Sequence, residues 1–203
     1  MTIQRTVSQV EPTAKDSSAE RNSKAAMFVV SNWTFTDPLI NAHGFSFSQI
    51  TNGVAPVVYS FEGANHFDAS THTLGGERTT PGIQMHLSKL AESELDCVMA
   101  CVQQEVIENA EKYGVTSIIA RDRFKSPLSK KDKFPANFRV KINGTRYWKD
   151  GNPTTAPESH AGKKWQAKVH LKSLWFSKDA WGISCVATDL QEICENVICP
   201  FEK

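Results

Sequence analysis

Several signatures that would fix a chemistry are missing from this chain. It has no phosphate-binding glycine loop, no dinucleotide glycine fingerprint and no nucleophile elbow. No pair of carboxylates sits in a structured, apolar setting able to hold two metal ions for a nuclease. There is no run of apolar residues long enough to cross a membrane, and the start MTIQRTVSQVEPTAKDSS lacks the apolar segment of a secretion signal. Cysteine is sparse and odd in number, with five residues unevenly spaced. Cys97, Cys101 and Cys185 lie in apolar-periodic segments, where a reduced, buried thiol is expected. The expectation is a soluble, intracellular protein. The sequons at Asn32 and Asn143 are then chance matches.

Metal and thiol chemistry have little support. His66, Asp68 and His72 in NHFDASTH match no defined site, and a polar surface loop accounts for them. Cys194 and Cys199 lack the second close pair that a zinc site needs, or the histidine that a thiol nucleophile needs. No catalytic residue, metal or cofactor is expected.

What the chain does have is polarised charge. Its 23 Lys and Arg nearly balance 22 Asp and Glu, for a net +1. From Arg121 to Lys172, however, fourteen cations face Asp122, Asp132, Asp150 and Glu158, a local 14 − 4 = +10 that leaves about −9 for the remainder. The same region carries the clearest strands. WQAKVHLKSLWF alternates Trp165, Ala167, Val169, Leu171, Ser173 and Trp175 against Gln166, Lys168, His170, Lys172, Leu174 and Phe176. That period of two predicts a half-buried strand with an apolar face and a basic one. NFRVKIN repeats it, with Phe138, Val140 and Ile142 opposite Arg139 and Lys141. WGISCVATD is apolar or small on both sides and predicts a more central strand.

Residues 1–24 are polar and without apolar period, so a disordered arm is expected there, followed by one domain over 25–190 and a tail over 191–203. AMFVVSNWTFTDP, GFSFSQI, PVVYSFEG and IQMHLS predict strands, and NHFDASTHTLGGERTTPG a long loop. From Ser88 to Tyr113 the stripe Leu90, Leu95, Val98, Val102, Val106, Ala110 and Tyr113 predicts one helix of about seven turns, stopped at Gly114. VTSIIARDRF is expected to return to strand. KSPLSKKDKFPAN and KDGNPTTAPESHAGKK are expected as basic loops.

A basic sheet face with aromatic side chains nearby suits single-stranded nucleic acid, because cations track phosphates and exposed rings stack on unpaired bases. The candidate binding residues are Arg139, Lys141, Arg146, Tyr147, Trp148, Lys163, Lys164, Lys168, His170, Lys172 and Phe176. Trp175 and Trp181 point inward by their alternation.

The succession FRVKI, a loop, KVHLKSLWF and WGISCVATDLQEI resembles the closing strands of the OB-fold single-stranded DNA-binding proteins of short-tailed phages and large DNA viruses. The resemblance covers about a third of the chain. It implies a mainly β chain with one long helix, an OB-fold-like Greek-key barrel with additional strands and long loops. It also implies a groove for single-stranded DNA and a strand-coating role beside the proteins of DNA replication or recombination. The row of Lys and Arg, rather than base-reading side chains on a recognition helix, predicts sequence-tolerant binding, with RNA as the other candidate strand and a homo-oligomer as a candidate state. Many such proteins end in a long acidic tail, and this chain's DLQEICENVICPFEK is a departure. Two other classes stay open: a jelly-roll coat protein, which would assemble into shells, and a metal-dependent hydrolase of nucleic acid, whose activity chelation would abolish. The arm's near-neutral charge disfavours the coat protein.

Overall fold

The computed structural model describes residues 32–41, 44–72, 80–131 and 134–194. The expected arm, the start of the first strand and most of the expected tail lie outside them. In chain order the first strands are β1 (Trp33–Phe35), β2 (Leu39–Ile40), β3 (Ser46–Asn52), β4 (Ala55–Pro56), β5 (Val58–Ala64), β6 (Ser70–His72) and β7 (Thr80–Leu87). Helices α1 (Lys89–Glu108) and α2 (Ser117–Asp122) follow. The second half holds β8 (Phe124–Lys125), β9 (Leu128–Lys131), β10 (Phe134–Lys141), β11 (Arg146–Lys149), β12 (Asn152–Thr154), β13 (Lys164–Phe176) and β14 (Trp181–Glu192).

Five of these strands close on themselves. β5 pairs with β7, β7 with β10, β10 with β14, β14 with β13, and β13 returns to β5. All these pairings are antiparallel except β10 with β14, which meet in parallel at Lys141 and Val186. The result is a mainly β chain with one long helix and an OB-like, five-stranded barrel. β13 and β14 are long enough to leave the ring. β13 pairs with β5 over Lys164–His170 and then with β3 over Ser173–Phe176, while β14 takes β8, β10 and β11 in turn along its other side. β14 is the central strand its two-sided small and apolar pattern predicts.

The core fills the inside of this ring. Phe138, Val140, Ile83, Met85, Trp165, Ala167, Val169 and Leu171 are fully or almost fully buried there, and Trp181 is buried beyond it against Phe124 and Phe176. The apolar side of α1, from Leu95 through Val98 and Val102 to Val106, belongs to the same cluster. Burial of each large side chain contributes about 1.5–3 kcal/mol, so the alternation along β10 and β13 is what holds the barrel's register.

Several expectations need correction. α1 is capped by Ser88, whose hydroxyl accepts from the Ala91 amide, but ends at Glu108, short of Tyr113. Leu90 is exposed, and Ala91 and Met99 take the buried stripe instead. Ser117–Asp122 is a helical turn rather than a strand, because the Thr116 hydroxyl caps it by accepting from the Ile119 amide. KSPLSKKDKFPAN is not only loop, since β9 and the start of β10 pair across it, with Leu128 opposite Phe138. β6 and β12 likewise occupy parts of the two other expected loops.

Candidate nucleic-acid interface

The outer face of the barrel is built where β7, β10, β14 and β13 lie side by side. Gly82 of β7 stands opposite Lys141 of β10, and Gln84 opposite Arg139. Both cations are exposed on the side away from Phe138 and Val140. The Lys141 ammonium donates to the Ser184 hydroxyl at 3.2 Å. Partial burial and the neighbouring charges of Lys172 and Arg139 hold its pKa below the ordinary lysine value, although an ionised Cys185 would raise it. Lys141, Lys172 and Arg139 therefore form one electropositive cluster. His170 lies beside them: burial first, then the Lys172 charge, push its pKa below the ordinary histidine value. Among the described residues no ion pair engages Arg139, Lys141, Lys168 or Lys172.

A groove of about 280 Å³ runs across this cluster. Among the described residues Thr80, Gly82, Lys125, Ser126, Pro127, Arg139, Lys141, Trp175, Ile183 and Cys185 line it, and none of these is a carboxylate. A second cavity of about 260 Å³ adjoins it through Ser126, Pro127 and Arg139, and extends toward Gln84, Ser129 and Asn137. The floor is low at Gly82, where a Cβ would lie 3.0 Å from the Val140 carbonyl oxygen. Backbone there comes close to backbone.

The aromatic wall of the groove is Trp175, not Phe176. The ladder between β13 and β14 pairs Leu171 with Cys185 and Ser173 with Ser184, so Lys172 is an extra residue. Such a bulge exchanges the two faces of the strand beyond it. Up to Leu171 the odd-numbered residues are buried; beyond it Leu174 and Phe176 are, at 0% and 3% exposure. Phe176 stacks at 5.0 Å on Tyr113 in the core, and no base can reach it. Trp175 is released to the lysine side. A second bulge, at Thr188, performs the same exchange on β14, between Ala187 opposite Val169 and Asp189 opposite Lys168.

The remaining candidates separate by what already holds them. Lys168, His170 and Lys172 stay on the outer face with Arg139 and Lys141, and Lys164 is exposed at the start of β13. Arg146 is committed elsewhere: its Nη2 lies 2.9 Å from each oxygen of Asp189. Trp148 donates its indole N–H to the same carboxylate at 3.0 Å. Burial alone would raise the Asp189 pKa, but hydrogen bonds from Arg146, Trp148 and Thr188 and the Arg146 charge bring it below the usual carboxylate value. Lys163 is paired with Glu192. Tyr147 is buried, with its hydroxyl 3.0 Å from Nε2 of His160 and its ring edge-on to Trp165. These four side chains tie β11 and the loop before β13 to the barrel. Tyr147 is closed off, whereas the Arg146 side chain stays 69% exposed with its charge matched by Asp189.

Sequence reasoning missed Lys125, Ser126 and Trp175. Lys125 reaches the groove because β8 pairs in parallel with β14, placing it opposite Gly182. The signal for Trp175 was in plain view, since Ser173 and Leu174 break the polar and apolar alternation one step before it.

No helix among the described residues is long and apolar enough to cross a membrane, and none of their His, Cys, Asp and Glu side chains cluster in threes able to hold a metal ion. No family model matches the chain, and no curated protein matches it. Among solved structures the chain is similar to the single-stranded DNA-binding protein from bacteriophage Enc34 in complex with ssDNA, with a TM-score of 0.46 and 8% identity over 80% of this chain and 93% of that one. A second structure of the same phage protein gives 0.43 and 7% over 78% and 89%, and its C-terminal truncation gives 0.42 and 11% over 80% and 96%.

Proposed function

We propose that this protein binds single-stranded DNA along the face formed by β7, β10 and β13, without strong sequence preference, and protects unpaired strands during replication or recombination. The observation that carries this reading is the groove itself: Lys125, Arg139 and Lys141 line it with Trp175, and with no carboxylate among the described residues. Lys168 and Lys172 extend the row of cations along β13. A track of this kind neutralises phosphates whatever the bases are, and an aromatic wall offers stacking to any of them. Fold-level analogy points to the same place, since OB barrels bind oligonucleotides on the face of their second and third strands, here β7 and β10. Arg139 and Lys141 belong to the third strand, and among the described residues no recognition helix accompanies them.

The test is a titration of equal-length single-stranded DNA, single-stranded RNA and duplex at two salt concentrations. Single-stranded DNA should bind most tightly, and its affinity should drop steeply with salt. Affinity unchanged between low and moderate salt would overturn the proposal. Particle size with and without added strand checks for clustering of copies on DNA.

A further inference from the structure

Cations alone cannot give the preference for unpaired strands. Duplex and single strands both present phosphates, and Arg139 and Lys141 would attract either. A group that uses the face of a base can tell them apart, because in a duplex both faces are covered by neighbouring pairs.

Trp175 has the placement for this. It is the cross-strand partner of Gly182, and its ring is laid against that glycine. A Cβ on Gly182 would lie 2.7 Å from Cζ2 and 2.9 Å from Cε2 of the indole, and 2.7 Å from the Lys125 carbonyl oxygen. No side chain fits at position 182 while the ring lies there. The Lys172 bulge turns Trp175 out of the core, Gly182 lets it lie down on the sheet, and Arg139 and Lys141 stand across the groove from which it is reached. On the strand beside it, Phe47 of β3 is the residue opposite Trp175 on the other side of β13, and it is also only partly buried.

We propose that Trp175, seated on Gly182, is the specificity-determining side chain by which this face separates unpaired strands from duplex, by stacking on a base whose face is free. The proposal rests on the strand-binding reading above. Gly182 is its positioning residue and touches no DNA.

The experiment measures affinities of the full chain for single-stranded DNA and for duplex of equal length, and the quenching of tryptophan emission by each. Trp175→Ala should weaken single-strand binding about 10- to 100-fold more than duplex binding. Trp175→Phe should restore much of the preference while losing the quench. Arg139→Ala and Lys141→Ala should weaken both strands alike and leave their ratio unchanged. Gly182→Ala should behave as a weaker Trp175→Ala; if it fails to fold, the two Trp175 variants decide the matter. A Trp175→Ala protein with the wild-type ratio, alongside cation variants that bind weakly, overturns this inference and leaves strand binding standing. Wild-type protein that binds neither strand overturns both.

Discussion

Trp175 and Phe176 are consecutive in the chain and lie on opposite sides of the sheet, Phe176 stacked on Tyr113 in the core and Trp175 in the wall of the cationic groove. Strict alternation from Trp165 would give the reverse assignment. One inserted residue, Lys172, decides which of the two rings serves the fold and which serves the surface.

Phe176→Ala should therefore be a stability variant. The ring packs between Tyr113 at 5.0 Å and Trp181 at 6.0 Å, and removing it leaves a cavity costing about 3–5 kcal/mol. Chemical denaturation should show the midpoint falling. At a temperature where the variant is still folded, its affinity for single-stranded DNA should equal that of the wild type.

Arg139→Ala and Lys141→Ala should show the opposite behaviour. Both side chains are exposed and free of ion pairs among the described residues, so melting temperatures should change little. A plot of log affinity against log salt should become shallower by about 0.7 for each phosphate contact removed. Parallel plots would show that these cations do not meet the DNA backbone.

Binding should also depend on alkaline pH. Partial burial, Lys172 and Arg139 keep the pKa of Lys141 below the ordinary lysine value, so as pH rises it loses its proton before exposed lysines do. Affinity for a phosphate backbone should fall over that interval. Lys141→Arg stays protonated throughout and should flatten the fall. An identical pH profile for the two proteins counts against a role for Lys141.

Asp189→Asn tests the other outward cluster. The carboxylate accepts from Arg146 and Trp148, so its loss should cost about 1–2 kcal/mol, the exposure of Arg146 having been discounted. Because the folded carboxyl titrates below its unfolded value, the wild type holds this increment at neutral pH and loses it as pH falls through the folded pKa. The two denaturation curves should converge in strong acid. Strand binding at neutral pH should be little changed, since Asp189 faces Arg146 rather than the groove.

Much of the barrel could be read from alternation. Phe138 and Val140 against Arg139 and Lys141 gave the inside and outside of β10 correctly, and Lys168 and Lys172 those of β13 up to the bulge. Where the structure adds to the reading or departs from it, the cause was non-local or a single residue. Arg146, Trp148 and Lys163 look like free cations and rings in sequence, yet their partners Asp189 and Glu192 are supplied by β14 some 30 to 40 residues later. Thr116 outweighed the β-branched residues that follow it, because a capped amide favours a helical turn. Bulges leave composition untouched and move every side chain beyond them, so Ser173 and Leu174 were the only local warning.

The closed ring also sets an order of assembly. β13 and β14 are joined by the short turn Ser177–Ala180, with the Ser177 amide donating to the Ala180 carbonyl, so their long ladder is a local structure that can form early. β5, in contrast, finds its partner β13 only about a hundred residues further along the chain. During synthesis from the N-terminus, β3 and β5 must wait, with Ile50 and Phe61 uncovered, until nearly the whole barrel has left the ribosome. A chain cut short before Trp181 keeps every groove cation, yet it cannot close the ring. Such fragments should aggregate rather than bind.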